Sequence, residues 1–237
     1  MSRGANGRGT RGAGRVARSE SPQVRAVMSQ KSIDIKNVGN LAKSKPLIED
    51  AKGNLIEGED VPPTQELLKM AGQDLSGAEK VIANSELEHG AIYTDDGKQV
   101  MIKTSHDRSA VFLSNKEMKA MKGKVFTHNH PVVDGVSLPF SRADVTLLHF
   151  TKAREFRAVA GKVAFSLSPP KDSKFWKMKE SAVDKMLNSA REVAFASLGY
   201  TPDRIPFAKT ADLAVALDKM LTMVDRKLNL GYKKTNL

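Results

Sequence analysis

The sequence predicts an α+β fold, a central and mostly antiparallel sheet flanked by helices. Three observations carry this expectation. Gly90–Thr94 and Lys98–Ile102 are apolar runs separated by Asp95-Asp96-Gly97, and an Asp-Gly between such runs marks a β-hairpin because the turn needs positive φ. Short strand-like runs recur at Val125–His130 and Phe156–Leu167, the latter alternating Val163, Phe165 and Leu167 with Ala164 and Ser166. Two later segments instead repeat apolar residues at helical spacing: Val183, Leu187, Ala190, Ala194 and Leu198, then Leu213, Leu217, Met220, Leu221, Val224 and Leu228.

The elements follow in order. Residues 1–31 hold seven basic residues against one acid, Glu20, with no apolar periodicity, which predicts a disordered basic arm; residues 32–60 are weakly patterned and predict a linker. Pro62-Pro63-Thr64 opens a helix carrying Leu67, Leu68 and Met70, and a second short helix is expected from Gly77 to Ala83. After the hairpin, Ala110–Leu113 is expected as a third strand. Ser114-Asn115-Lys116-Glu117 forms a capping box for a short helix stopped at Gly123. Val125–His130 is a strand closed by Pro131, and Ser141 is the expected N-cap of a helix to about Phe150. Pro169-Pro170 ends the sheet, and Gly199 stops the first of the two C-terminal helices. The expected organisation is thus an arm and linker over 1–60, a metal-binding core with its preceding helices over 61–170, and C-terminal helices packed on that core over 171–237.

Composition narrows the chemistry. A hydrophobic content of 40% supports a folded core, while the absence of cysteine excludes disulfides and thiolate metal sites, so any metal must sit on His, Asp, Glu or backbone oxygen. No apolar run approaches a membrane span and no secretory h-region follows the basic N-terminus, so a cytoplasmic protein is expected. The net charge of +11 and the arm suggest nucleic acid as a partner through residues 1–31, against the plainer reading of a solubilising tail.

The chemistry concentrates in Phe126-Thr127-His128-Asn129-His130-Pro131 and Phe140-Ser141-Arg142-Ala143-Asp144. Period-two geometry places His128 and His130 on one face of a strand, close enough to share a metal ion. Asp144, one turn into the next helix, is the natural third ligand, leaving a fourth position open for water. A glutamate outside the metal shell would take the proton from that water; Glu86 and Glu88 precede the first strand and lie on the same side under strict alternation. Plainer readings stand beside these: Asp144 as a helix cap, and the histidines as ordinary polar strand residues. His149 is a minor alternative ligand. His128-Asn129-His130 is not an HNH nuclease motif, which is spread over a much longer ββα unit.

An upstream Glu, His-x-His and Ser-x-x-Asp together resemble the signature of the JAMM (MPN+/JAB) metalloprotease superfamily. The form His-Asn-His-Pro with Phe-Ser-x-x-Asp is most similar to its RadC-like and phage- or toxin-associated branch. The resemblance spans roughly Glu86 to Pro169. It implies a JAMM/cytidine-deaminase-like core with zinc held by His128, His130 and Asp144. It also implies Glu88 as general base and acid, with Glu86 the alternative, and Ser141 as an oxyanion stabiliser. The implied activity is zinc-dependent hydrolysis of peptide or isopeptide bonds in a protein or peptide substrate. The alternative is a non-catalytic binding module attached through the basic arm to nucleic acid or a phage particle, which would make the protein virion-associated. One departure stands out: Pro131 to Phe140 makes ten residues between the second histidine and the serine, where the superfamily usually has seven.

Overall fold

The computed structural model describes residues 63–237, together with the backbone of three short strands before them, β1 (Ile33–Asp34), β2 (Leu47–Glu49) and β3 (Leu55–Glu57). The expected disordered arm over 1–31 and linker over 32–60 otherwise lie outside the described residues. From Pro63 onward the order is α1 (Gln65–Met70), α2 (Leu75–Ile82), β4 (His89–Tyr93), β5 (Gln99–Thr104), α3 (Asn115–Ala120), β6 (Val125–Asn129) and α4 (Arg142–Thr151). Then come β7 (Glu155–Ala160), β8 (Val163–Leu167), a 3-10 turn (Lys174–Lys177), α5 (Glu180–Ala196), a second 3-10 turn (Pro202–Phe207), α6 (Thr210–Leu228) and β9 (Lys233–Asn236).

The fold is mixed α+β, as expected. Its sheet runs β1-β5-β4-β6-β7-β8-β9, and every pairing is antiparallel except β6 with β7. That parallel pair needs a crossover, and α4 supplies it. β4 turns into β5 through the anticipated Asp-Gly, with Gly97 at φ 81°. β7 turns into β8 through Gly161 at φ 60°.

The two faces of the sheet bury different layers. Ala91, Tyr93, Ile102, Val125, Val159 and Ala164 pack beneath α1 and α2, against Leu67, Met70, Ala78 and Ile82. The opposite face turns Ile92, Phe126, Phe156 and Phe165 toward α4, α5 and α6, where Val145, Leu148, Val183, Leu187, Leu217 and Met220 complete one apolar core. Each large side chain fully buried there contributes about 1.5–3 kcal/mol. The sheet is therefore central, and β6 is shielded on both faces. All five of its residues are buried.

Local signals explain the helix ends. Thr64 caps α1 by accepting from Leu67 N, and Asp74 caps α2 by accepting from Gly77 N, so α2 starts two residues before the sequence predicts. Both capping boxes, at Ser114 and at Ser141, are formed. One expectation fails: Ala110–Leu113 is not a strand. Leu113 is buried in the core, but the backbone is anchored by a side chain, Phe112 N donating to Ser105 Oγ at 2.7 Å, rather than by a ladder. Its apolar character reflects burial alone.

Candidate metal centre

The centre lies where β6 ends and α4 begins. In β4 and β6 the register pairs Ile92 with Phe126 and Gly90 with His128, so these residues and their period-two neighbours share one face. Phe126 stacks under the His128 ring, with centroids 5.3 Å apart and planes 17° from parallel. Gly90 is what makes room: a Cβ there would lie 2.9 Å from the Phe126 ring. His130 follows the strand end, and its N–H still donates to Val159 O of β7 at 2.9 Å, holding it in line with His128.

The long loop between His130 and Ser141 does not separate the two halves. Its tip, Asp134-Gly135, turns tightly with φ 52° and 73°, and Val133 bridges Val136 around it. Ser137 Oγ donates to Ala160 O at 2.8 Å, and Thr210 Oγ1 donates to Asp134 Oδ2 at 3.0 Å. The ten residues are gathered into a small tethered hairpin, and Ser141 arrives beside the strand to start α4.

His128, His130 and Asp144 form a group able to hold a metal ion. His128 Nε2 lies 3.0 Å from His130 Nε2 and 3.3 Å from Asp144 Oδ1, and His130 Nε2 lies 3.6 Å from Asp144 Oδ2. Ligand bonds of about 2.0–2.2 Å in a tetrahedron set ligand–ligand edges of about 3.3–3.6 Å. The shortest contacts here are of that order, although the two histidines approach different oxygens of Asp144, and one ligand atom from each residue lies within 4.8 Å of the others. Tautomers agree. His130 Nδ1 lies 3.0 Å from Leu138 O, a carbonyl that can only accept, so Nδ1 is the donor there and Nε2 is the nitrogen that faces the centre, able to ligate a metal once it gives up its own proton. His128 Nδ1 is buried without a hydrogen bond of normal geometry, although the Arg157 backbone weakly favours its protonation.

Asp144 is at once a helix cap and a member of this group. Its Oδ2 accepts from Ser141 N and from Ser141 Oγ, both at 2.7 Å, while Ser141 Oγ in turn accepts from Asp144 N at 3.3 Å. The capping reading and the ligand reading of Asp144 are therefore compatible, because the box fixes the carboxylate that faces the histidines. The Ser141 hydroxyl proton is directed at Asp144 here, so it would have to rotate to meet a substrate oxygen.

The two upstream glutamates have different fates. Extending the β4–β6 register by two residues sets Glu88 opposite His130. Glu88 is buried at 7% exposure, and its backbone is clamped by Glu88 N donating to Asp107 O at 2.8 Å and Thr104 Oγ1 donating to Glu88 O at 2.9 Å. Glu86 lies beyond the strand, 81% exposed, in a surface pair with Arg108 at 2.6 Å. His149 is also apart from the group: its ring packs edge-on against Phe175 at 5.0 Å.

Charge is strongly coupled at the centre. Burial, with smaller repulsion from Asp144 and Asp107, pushes the Glu88 carboxyl up to about 8, against an opposing pull from His130. Burial disfavours charge on His130 too, but the hydrogen bond and charge of Asp144, helped by Glu88, outweigh it and hold His130 at about 9. Burial depresses His128. Asp144 stays well below the usual carboxylate range, because its hydrogen bonds and attraction to both histidines exceed the desolvation that would raise it.

No family model, curated protein or solved structure matches the chain.

Asn129 is the residue that sequence reasoning passes over. Between the two histidines it points to the other face, where its Oδ1 accepts from His89 N at 2.8 Å and its Nδ2 donates to Leu87 O at 3.0 Å and Ser85 O at 3.3 Å. One buried amide thus ties the Ser85–His89 segment, and Glu88 with it, to the histidine strand. A polar residue in the middle of an otherwise buried strand was the available signal, since such a group must find partners.

Proposed function

We propose that the protein is a zinc-dependent hydrolase of peptide or isopeptide bonds. The observation that carries this reading is the convergence of two imidazole nitrogens and one carboxylate within 4.8 Å of one another, with a buried, proton-retaining carboxyl, Glu88, across the strand pair from His130. Zinc suits two imidazoles and a carboxylate with no thiolate, and three protein ligands leave an open position. When bound, zinc would supply Lewis acidity, lowering the pKa of a coordinated water to about 7 and polarising a carbonyl.

The chain's own residues would do the rest. His128, His130 and Asp144 hold the ion, with Leu138 O and Ser141 fixing the orientation of His130 and Asp144. The Glu88 carboxylate would accept a proton from the attacking water and return it to the leaving amine; a cation at the three ligands would favour its ionised form, lowering its pKa from the raised metal-free value of about 8. Ser141 Oγ, on turning from Asp144, can donate to the developing oxyanion. Amide chemistry is favoured by the motif resemblance, and a protein or peptide is the substrate class it implies.

The test is incubation of the zinc-loaded protein with peptide and ubiquitin-like isopeptide panels, beside Glu88→Gln. Cleavage by the parent, and none by a variant that still carries zinc, supports the assignment. Absence of any amide cleavage, or full activity in Glu88→Gln, removes it.

A further inference from the structure

The charge of the described chain is unevenly placed. Residues 63–237 carry a net +7, and three short segments, 119–124, 152–154 and 171–179, hold nine Lys and Arg against one acid, Asp172. The remainder is therefore close to neutral. The three segments meet. Gly123 N donates to Lys152 O at 2.9 Å, Arg154 N donates to Lys124 O at 2.8 Å, and the Lys152 ammonium sits 5.3 Å above the Trp176 ring, within reach of Trp176 O. Lys119, Lys122, Arg154, Lys174 and Lys177 are exposed around this junction. Arg154 has a partner, Asp95 at 3.2 Å, but both side chains are largely in water, where such a pair is weak and readily exchanged.

This face is at the far end of α4 from the metal group. Ser141 caps the start of that helix and Lys152 its end, a rise of about 16 Å. A ligand held at Lys152 would leave His128, His130 and Asp144 uncovered.

We propose that this face docks the phosphate backbone of nucleic acid. Three acids border the junction, Asp95 beside Arg154, Glu155 beside Arg157 and Glu180 near His149, but the basic residues outnumber them, and a net excess of like charge on one surface attracts a polyanion. Aromatic surface adjoins the charge: Trp176 is partly exposed among the lysines, and Phe150, 56% exposed, lies at the same end of α4. An anionic membrane is the weaker fit, because an interfacial helix presents a whole apolar face and Phe150 is a single exposed ring. The inference is independent of the hydrolase reading and of the basic arm over residues 1–31.

The chain has one tryptophan, so Trp176 reports on this face alone. A short labelled DNA duplex is titrated with the full chain, reading label anisotropy and Trp176 emission together over a series of salt concentrations. The expected result is that both change, and that Lys119→Glu/Lys122→Glu/Lys177→Glu lowers the salt slope by about 2.7, roughly 0.9 for each phosphate no longer neutralised. The milder Lys→Gln triple variant, checked for an unchanged melting temperature, should move the same way. A chain with its arm arginines changed to Gln should keep the Trp176 response. The proposal is overturned if anisotropy saturates with Trp176 emission unmoved, if either triple variant keeps the parental slope, or if anionic vesicles shift Trp176 and the duplex does not.

Discussion

Replacing Glu88 by Gln should stabilise the metal-free protein, and by an amount that grows with pH. Glu88 keeps its proton in the folded chain up to about pH 8, whereas an unfolded glutamate loses it near 4.5. A carboxyl whose folded pKa is raised contributes stability that is fully present below the unfolded value and is lost as pH climbs toward the folded one. Between those limits the native state binds one proton more, so stability falls by about 1.4 kcal/mol per pH unit. The glutamine side chain cannot ionise and removes that slope. From pH 5 to pH 7 the variant should therefore gain about 2–3 kcal/mol on the parent. The window lies below the folded value of His130 in the parent, about 9, so its imidazolium is present there throughout. Urea unfolding in chelator at several pH values measures the difference. Parallel curves for parent and variant would refute the idea that Glu88 is held protonated by burial at this centre.

The remaining predictions concern the same neighbourhood. Zinc needs neutral imidazole, and the metal-free centre holds a proton on His130 and one on Glu88 at neutral pH, so binding at pH 7 should release at least one proton, seen by calorimetry in buffers of different ionisation enthalpy; zero release would contradict the charge assignment. Asn129→Ala strands the buried His89 N–H and removes part-buried contacts to Leu87 O, which still faces His89 Nδ1, and to Ser85 O, so a loss of about 1–3 kcal/mol in chemical unfolding is expected, and a loss below about 0.5 kcal/mol would show that the amide ties nothing. Gly90→Ala drives a Cβ into the Phe126 ring beneath His128 and should cost about 1–3 kcal/mol while weakening zinc retention; a neutral substitution would mean that Phe126 has room to move.

How much of this was visible in the sequence varied with the kind of signal. Hairpins and capped helices were legible because their determinants are local: Gly97 must take positive φ, and Ser114 and Ser141 each reach a partner three residues on. Ala110–Leu113 misled because a buried Leu113 looks the same whether its backbone is in a ladder or in a tethered loop. β9 went unseen because Lys233–Asn236 is an exposed edge strand with no apolar face; only its pairing with β8 reveals it. At the centre, alternation put Glu86 and Glu88 on the same side and could not divide them. Burial does: Glu88 is enclosed next to the strand pair, whereas Glu86 is exposed and paired with Arg108. Asn129 was hidden for a related reason, since its three partners lie 40 to 44 residues away in the chain.

Among the described residues no helix is long and apolar enough to cross a membrane, and the metal group rests instead at the seam of a buried strand and a capped helix. The most direct measurement is the zinc content of the purified chain by mass spectrometry under native conditions, beside His130→Ala, Asp144→Ala and Glu88→Gln. One zinc per chain, lost in the first two variants and kept in the third, is the expected result. A chain that takes up no zinc, or one that keeps its zinc without His130 and Asp144, would contradict the metal centre on which the proposed function stands.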